Sequence, residues 1–314
     1  VKEAKNMQTE TFMSKDCALG RYTWSVKDPK AIMLILHGMS EHAARYEHFA
    51  KYLNGEGITV YAHDHRGHGR SKNGHQGHFA DVDGWDLVVE DVKQHVDIIK
   101  EESQKIGQTG IPFIILGHSM GSFITQEFIL RYPNEFSGVI LSGSDGSPDF
   151  LARMGRYVAR LERLRKGGRG ISNILNKLSF EDFNKAFAPN RTRSDWLSRD
   201  EKEVDLYLAD DSCGFDCSNQ LWIDLLDGLV EMSKLSRQKK LPSDLPIFIF
   251  SGAEDPVGKN TRGVRNLLEA YTEAGLQSVT YTFYPGGRHE MLNEINKLEV
   301  YKDIVDWLQS SIRQ

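Results

Sequence analysis

Residues 58–62, 111–116, 139–141 and 246–251, together with Ala31–Leu36, are nearly continuous apolar runs bounded by Gly, Pro or polar residues. That is the pattern of strands buried on both faces. Val279–Tyr284 instead alternates, as a half-buried strand does. Behind the run 111–116, Phe123, Ile124, Phe128 and Ile129 recur at helical spacing, and Tyr132-Pro133 closes the helix. Strand and helix thus alternate between residues 31 and 142, which predicts a parallel sheet with crossover helices. From about residue 146 to 240 the pattern changes, and no strand is evident. Ser179-Phe180-Glu181-Asp182 and Ser198-Arg199-Asp200-Glu201 read as capping boxes, while Leu221, Trp222, Leu225, Leu226, Leu229 and Val230 share a helical face. Strand patterning resumes at Leu245. The expectation is an α/β core made of residues 1–145 and 241–314, with an all-helical lid, 146–240, over the carboxyl ends of the strands, where open α/β sheets bind ligands.

Gly117-His118-Ser119-Met120-Gly121 joins a predicted strand to a predicted helix. A G-x-S-x-G turn in that setting is a nucleophile elbow, which lifts the serine hydroxyl out of the sheet while glycines let the backbones pass. A serine hydroxyl needs a histidine to take its proton, a carboxylate to orient that histidine and backbone donors for the oxyanion. The required chain order is Ser, then Asp or Glu, then His. Asp255, in the loop behind the 246–251 strand, and His289, behind Val279–Tyr284, satisfy it; Glu254 and Asp145 compete with Asp255. The N–H of Met120, after the nucleophile, and that of Met39, behind Ala31–Leu36, are the expected oxyanion donors.

The blocks His37-Gly38-Met39-Ser40-Glu41-His42-Ala43-Ala44-Arg45-Tyr46, Asp64-His65-Arg66-Gly67-His68-Gly69-Arg70-Ser71, the elbow and His289-Glu290-Met291-Leu292-Asn293-Glu294 resemble the monoacylglycerol lipase and lysophospholipase branch of the α/β-hydrolases, among the serine aminopeptidase S33-like hydrolases. The resemblance implies the α/β-hydrolase fold, a mostly parallel central sheet flanked by helices with a helical lid, and cleavage of single-acyl lipid esters through an acyl-enzyme. It also implies that Glu41 and Arg45 lie near the polar head of the substrate. The alternative activity is a carboxylesterase for short-chain or aromatic, hydroxycinnamate-type acyl esters. A silent binding protein on the same scaffold would lack a triad member, and none is missing.

Composition narrows this further. In 314 residues with 39% apolar content and a formal charge of −5, nothing favours nucleic-acid binding. No run reaches transmembrane length and no signal segment opens the chain, so a cytoplasmic protein is expected; Val1 leaves open whether a leader was removed. Cys17, Cys213 and Cys217 make no disulfide framework, and Cys213-x-x-x-Cys217 shows no further metal ligands. His63-Asp64-His65-Arg66-Gly67-His68 is similar to a metallo-β-lactamase zinc signature, but Gly67 stands where Asp is needed and no second cluster follows. Asp64 and Arg66 are expected to brace loops instead, and no metal or cofactor is expected. In the lid, Arg153, Arg156, Arg160 and Arg163 share one helical face and Leu151, Met154, Val158 and Leu161 another. Such a helix either adsorbs peripherally to an anionic membrane or sets a solvated Arg face over a core-packed stripe. The oligomeric state is not legible.

Overall fold

Each apolar run becomes a strand. The computed structural model describes residues 7–72, 74–148, 150–177 and 181–312, the side chains of Leu151 and Ala152 excepted. Its strands are β1 (Gln8–Ser14), β2 (Cys17–Trp24), β3 (Ala31–Leu36), β4 (Ile58–His63), β5 (Phe113–His118), β6 (Gly138–Ser142), β7 (Ile247–Gly252) and β8 (Val279–Tyr284). They form one sheet in the order β1-β2-β4-β3-β5-β6-β7-β8, parallel from β4 to β8 and antiparallel where the β1–β2 hairpin joins one edge. β4 to β7 are buried throughout, and β8, the opposite edge, is half exposed, as its alternation requires.

Side-chain alternation along β3 divides the core in two. Ile32, Leu34 and Leu36 pack toward α2 (Gly84–Lys105) and α3 (Met120–Arg131), whereas Met33 and Ile35 pack toward α1 (Glu47–Gly55) and the C-terminal helix Lys297–Ser311. Along the parallel strands β3 to β7 the residues with catalytic chemistry gather where the strands end: His37 after β3, His63-Asp64 at the end of β4, His118-Ser119 at the end of β5, Ser142 closing β6 and Asp255 beyond β7. The chemistry-bearing positions therefore share one edge of the sheet.

Between β6 and β7 come α4 (Phe150–Lys166), α5 (Asn173–Asn176), α6 (Asp182–Lys185), α7 (Glu201–Ala209), α8 (Asn219–Met232) and α9 (Leu235–Gln238), followed after β7 by α10 (Arg262–Ala274) and, after β8, α11 (Lys297–Ser311). Among the described residues the insertion holds no strand, only an isolated bridge between Ile171 and Ser218. Trp196, Leu197, Tyr207 and Cys213 form a small cluster within it, but α8 joins the core of the sheet. Leu221, Trp222, Ile223 and Leu225 of α8 belong to the same buried cluster as Leu34, Val88 and Ile115.

Two local expectations change. The box at Ser179 lies partly outside the described residues. At the second, α7 begins at Glu201 with Asp200 as N-cap, accepting from Lys202 N at 3.1 Å. Ser198 Oγ instead accepts from Asp200 N at 2.9 Å and donates to Asn293 O at 2.8 Å, because it is needed to hold the insertion to the loop after β8. The orientation of α4 also differs from a core-packed stripe. Gly155, Val158, Ala159 and Glu162 form its inward side, with Gly155 against Leu226 of α8 and Ala159 and Glu162 fully buried. Small residues allow the two helices to approach, which turns Phe150 (74% exposed), Met154, Tyr157, Leu161 and Leu164 (84% exposed) outward as one stripe. Leu151, expected on that face, lies outside the described side chains.

Candidate active site

Ser119 sits between β5 and α3 with φ 52° and ψ −121°, a conformation that costs a non-glycine residue on the order of 1–3 kcal/mol. The turn is possible because the chain is thinned around it. A Cβ on Gly117 would run into Gly121 O and Thr125 Oγ1, and one on Gly121 into Leu36 O. Ser119 N donates to Ser142 O at 2.9 Å, which pins the elbow to β6.

His289 Nδ1 donates to Asp255 Oδ1 at 2.9 Å, and both side chains are almost fully enclosed. The imidazole lies between His118, with ring centroids 4.8 Å apart, and Trp196 of the insertion, 5.0 Å away. Asp255 is oriented in turn by Val257 N at 2.9 Å and Ser251 Oγ at 3.3 Å. Burial alone would depress the His289 pKa, but the charge and hydrogen bond of Asp255, with Glu290 and Glu41 behind them, raise it above the ordinary 6.5. His118 goes the other way, to about 3, through burial and the neighbouring His289. Of the two neighbouring imidazoles, only His289 is basic. The competing carboxylates are elsewhere: Glu254 is exposed, and Asp145 is paired with Lys259 at 2.9 Å.

The loop after β3 closes the site. A Cβ on Gly38 would fall 3.2 Å from Ser119 Cβ and 2.7 Å from Glu41 Oε1, so this loop lies directly on the elbow. Met120 is the first residue of α3, and its N–H has no partner within the helix. Glu41, expected near the substrate head, is buried with internal partners: Oε1 accepts from Gly38 N at 2.6 Å and Tyr46 OH at 3.0 Å, and Oε2 accepts from Arg45 at 2.6 Å. Arg45 also grips Glu290 through two bonds of 2.8 and 2.7 Å and lies over the Tyr207 ring. Burial would raise the Glu290 carboxyl, yet that grip holds it down at about 2. The network ties the loop after β3 to the residue that follows His289.

The histidine-rich turn after β4 is a brace. Asp64 accepts from Tyr22 OH (2.8 Å), Ala43 N (2.8 Å) and Arg70 N (2.7 Å), and Arg66 forms a two-bond pair with buried Asp91. His65 N donates to His37 Nε2 at 3.0 Å, so His37 carries its proton on Nδ1 and donates it to Gly38 O at 2.7 Å. Burial holds His37, His63, His65 and His68 below their ordinary pKa, and they pack as neutral rings. Sequence reasoning missed Trp196, which reaches His289 only because the insertion folds back, and Glu290, whose place beside His289 was the available signal.

The profile of the family described as "Serine aminopeptidase, S33" matches residues 27–296. A monoglyceride lipase of Homo sapiens is 30% identical over 92% of this chain and 85% of its own length. A monoacylglycerol lipase of Mycolicibacterium smegmatis is 29% identical over 91% and 90%. Among solved structures, a thermostable carboxyl esterase from Bacillus coagulans in complex with glycerol superposes with a TM-score of 0.88 at 25% identity, covering 98% of this chain and 99% of that one.

Proposed function

From the premise that this chain belongs to the serine aminopeptidase S33 family of α/β-hydrolases, we propose that it is a serine ester hydrolase acting on monoacylglycerol. The observation that carries the mechanism is the 2.9 Å Asp255–His289 bond beside a serine held in a strained elbow. Ser119 Oγ attacks the ester carbonyl as His289 Nε2 takes its proton. Asp255 keeps the imidazole in the right tautomer and stabilises the imidazolium. The N–H groups of Met39 and Met120 hold the oxyanion, and collapse of the intermediate expels glycerol, which receives the proton from His289. Water, activated by the same imidazole, then releases the fatty acid.

Glu41 and Arg45 act at one remove in this reading, by holding the oxyanion loop and the His289 loop in register. The lid role of residues 146–240 is supported by Trp196 on His289 and by the bonds of Glu290 N to Leu197 O (2.7 Å) and Gly214 N to Ser40 O (2.9 Å). The outward stripe of α4 is proposed to rest on the lipid surface that holds the substrate. Arg156 and Arg160 are engaged with Asp227 at 2.5 Å each, so apolar contact leads and the arginines flank it. No helix among the described residues is long and apolar enough to cross a membrane.

The test is a hydrolysis panel of long-chain monoacylglycerol, lysophosphatidylcholine, short acyl esters and hydroxycinnamate esters, run with the parent and Ser119→Ala. Monoacylglycerol should give the highest kcat/KM, a fluorophosphonate should label Ser119, and Ser119→Ala should lose at least about a thousandfold in turnover. Preference for short or hydroxycinnamate esters would transfer the assignment to a carboxylesterase, and full activity in Ser119→Ala would refute the mechanism.

A further inference from the structure

Among the described residues, one set of three metal-ligating side chains converges. The ligand atoms of His42, Asp210 and Cys213 lie within 4.8 Å of one another. They come from both sides of a joint: His42 ends the loop after β3, whereas Asp210 and Cys213 follow α7 in the insertion. The sequence could not reveal the set, because the partners of Cys213 lie one close in the insertion and the other in the core, far along the chain.

Both sides of this joint are already fixed. Ser40 O accepts from Gly214 N at 2.9 Å and from Tyr207 OH at 3.1 Å, and Ser40 Oγ donates to Phe215 O at 2.7 Å. Asp210 is aimed by its neighbours: Oδ1 accepts from Ser212 N at 2.7 Å, which leaves Oδ2 toward His42 Nε2 at 2.9 Å. The Ser212 N bond to Oδ1 fixes the carboxylate from behind, the kind of support that holds a metal ligand in place. Cys213 adds sulfur from a buried position, and Asp210, partly exposed, leaves an approach from solvent.

We propose that His42, Asp210 and Cys213 bind a divalent metal ion of the zinc class across the joint between the helical insertion and the oxyanion loop. Nitrogen, thiolate and carboxylate together suit Zn²⁺ or Co²⁺ and not Mg²⁺ or Ca²⁺, which take oxygen ligands. With bonds of about 2.0–2.3 Å a tetrahedral ion holds its ligand atoms about 3.5 Å apart, so the His42–Asp210 pair opens from 2.9 Å as the ion enters and water completes the shell. On binding, the Cys213 S–H bond breaks, a metal–sulfur bond forms and the proton passes to solvent. The metal replaces the His42–Asp210 hydrogen bond and clamps the segment after α7 to the loop that bears Met39. It plays no part in ester cleavage.

The experiment is a titration of the full-length protein, freed of metal, with Co²⁺ and then with Zn²⁺ in competition. One equivalent of Co²⁺ should produce a thiolate-to-cobalt charge-transfer band in the near ultraviolet, which Zn²⁺ abolishes. The band should vanish in Cys213→Ser and persist in Cys217→Ser, and Zn²⁺ affinity should fall at least about tenfold in Asp210→Asn and in His42→Gln. Circular dichroism establishes that each variant is folded. Absence of the band in the parent, its survival in Cys213→Ser, its loss in Cys217→Ser, or unchanged affinity in either His42→Gln or Asp210→Asn would overturn the site. None of these readouts depends on the catalytic assignment.

Discussion

Asp255 and Asp145 are the same side chain at the ends of adjacent strands, and their neighbours separate them. Asp255 faces His289, whereas Asp145 faces Lys259. Asp255→Asn should therefore lose several orders of magnitude in kcat while remaining folded, and Glu254→Gln and Asp145→Asn should be mild, as steady-state kinetics on a soluble ester would establish. Because His289 must be neutral to accept the serine proton, the rate rises with pH through its pKa. That pKa is raised, so the rise should be centred above 6.5, and a midpoint below 6 would contradict the Asp255 contact. Ser119, His289 and Asp255 were legible because each stands in fixed order behind a strand the pattern reveals. The second partner of Arg45 was not legible, since it is Glu290, 245 residues further along the chain.

Asp224 on α8 shows what burial does to a carboxylate outside the active site. Its Oδ2 has no hydrogen-bond partner among the described residues, Gly84 at the start of α2 presses against it, and burial, with Asp227 and Asp83 nearby, raises its pKa to about 7. A pKa raised above the ordinary 3.8 means that the folded state holds the proton more tightly than the unfolded one. The stabilisation is complete below that ordinary value and is lost as pH rises from there through about 7. Asp224→Asn should remove this slope, with a stability gain over the parent that grows across that window to on the order of a few kcal/mol, measurable by denaturant unfolding at several pH values.

At the level of elements, the strands buried on both faces were the most legible, because a run such as Ile247–Gly252 has no polar face to confuse with anything else. The β1–β2 hairpin was missed for the opposite reason. β1 is exposed along most of its length, so its order rests on pairing with β2 and not on an apolar pattern. In α4 the helix was legible but its facing was not: Gly155 and Ala159 decide it, and small residues carry no hydropathy signal. The outward stripe has a direct test. Replacing Met154, Tyr157, Leu161 and Leu164 by Ser should weaken co-sedimentation with lipid vesicles and slow hydrolysis of vesicle-borne monoacylglycerol several-fold, while turnover of a dissolved short ester continues. Equal vesicle binding by parent and variant would leave the stripe without a lipid partner.

For the molecule as a whole, α8 ties the insertion into the core of the sheet, while Trp196, Leu197, Tyr207 and Cys213 form a smaller cluster beside it. Leu221 of α8 is fully buried in the cluster that contains Leu34 and Ile115. Leu221→Ala should therefore destabilise the entire protein by about 2–5 kcal/mol, with insertion and core melting together when followed by calorimetry and by tryptophan fluorescence. A separate early transition of the insertion would show that the shared core is weaker than its packing suggests. The backbone at Ser119 bears on the same balance. Its φ of 52° and ψ of −121° are the mirror image of ordinary extended backbone, which glycine adopts without steric cost. Ser119→Gly should melt about 1–2 °C above the parent, because relief of strain outweighs the added chain entropy, while Ser119→Ala should show no such gain. Heat tolerance and catalysis thus pull this one position in opposite directions. A library screened for thermal survival alone would enrich chains that have exchanged the proposed nucleophile for comfort, so any programme to harden this enzyme has to score turnover in the same round.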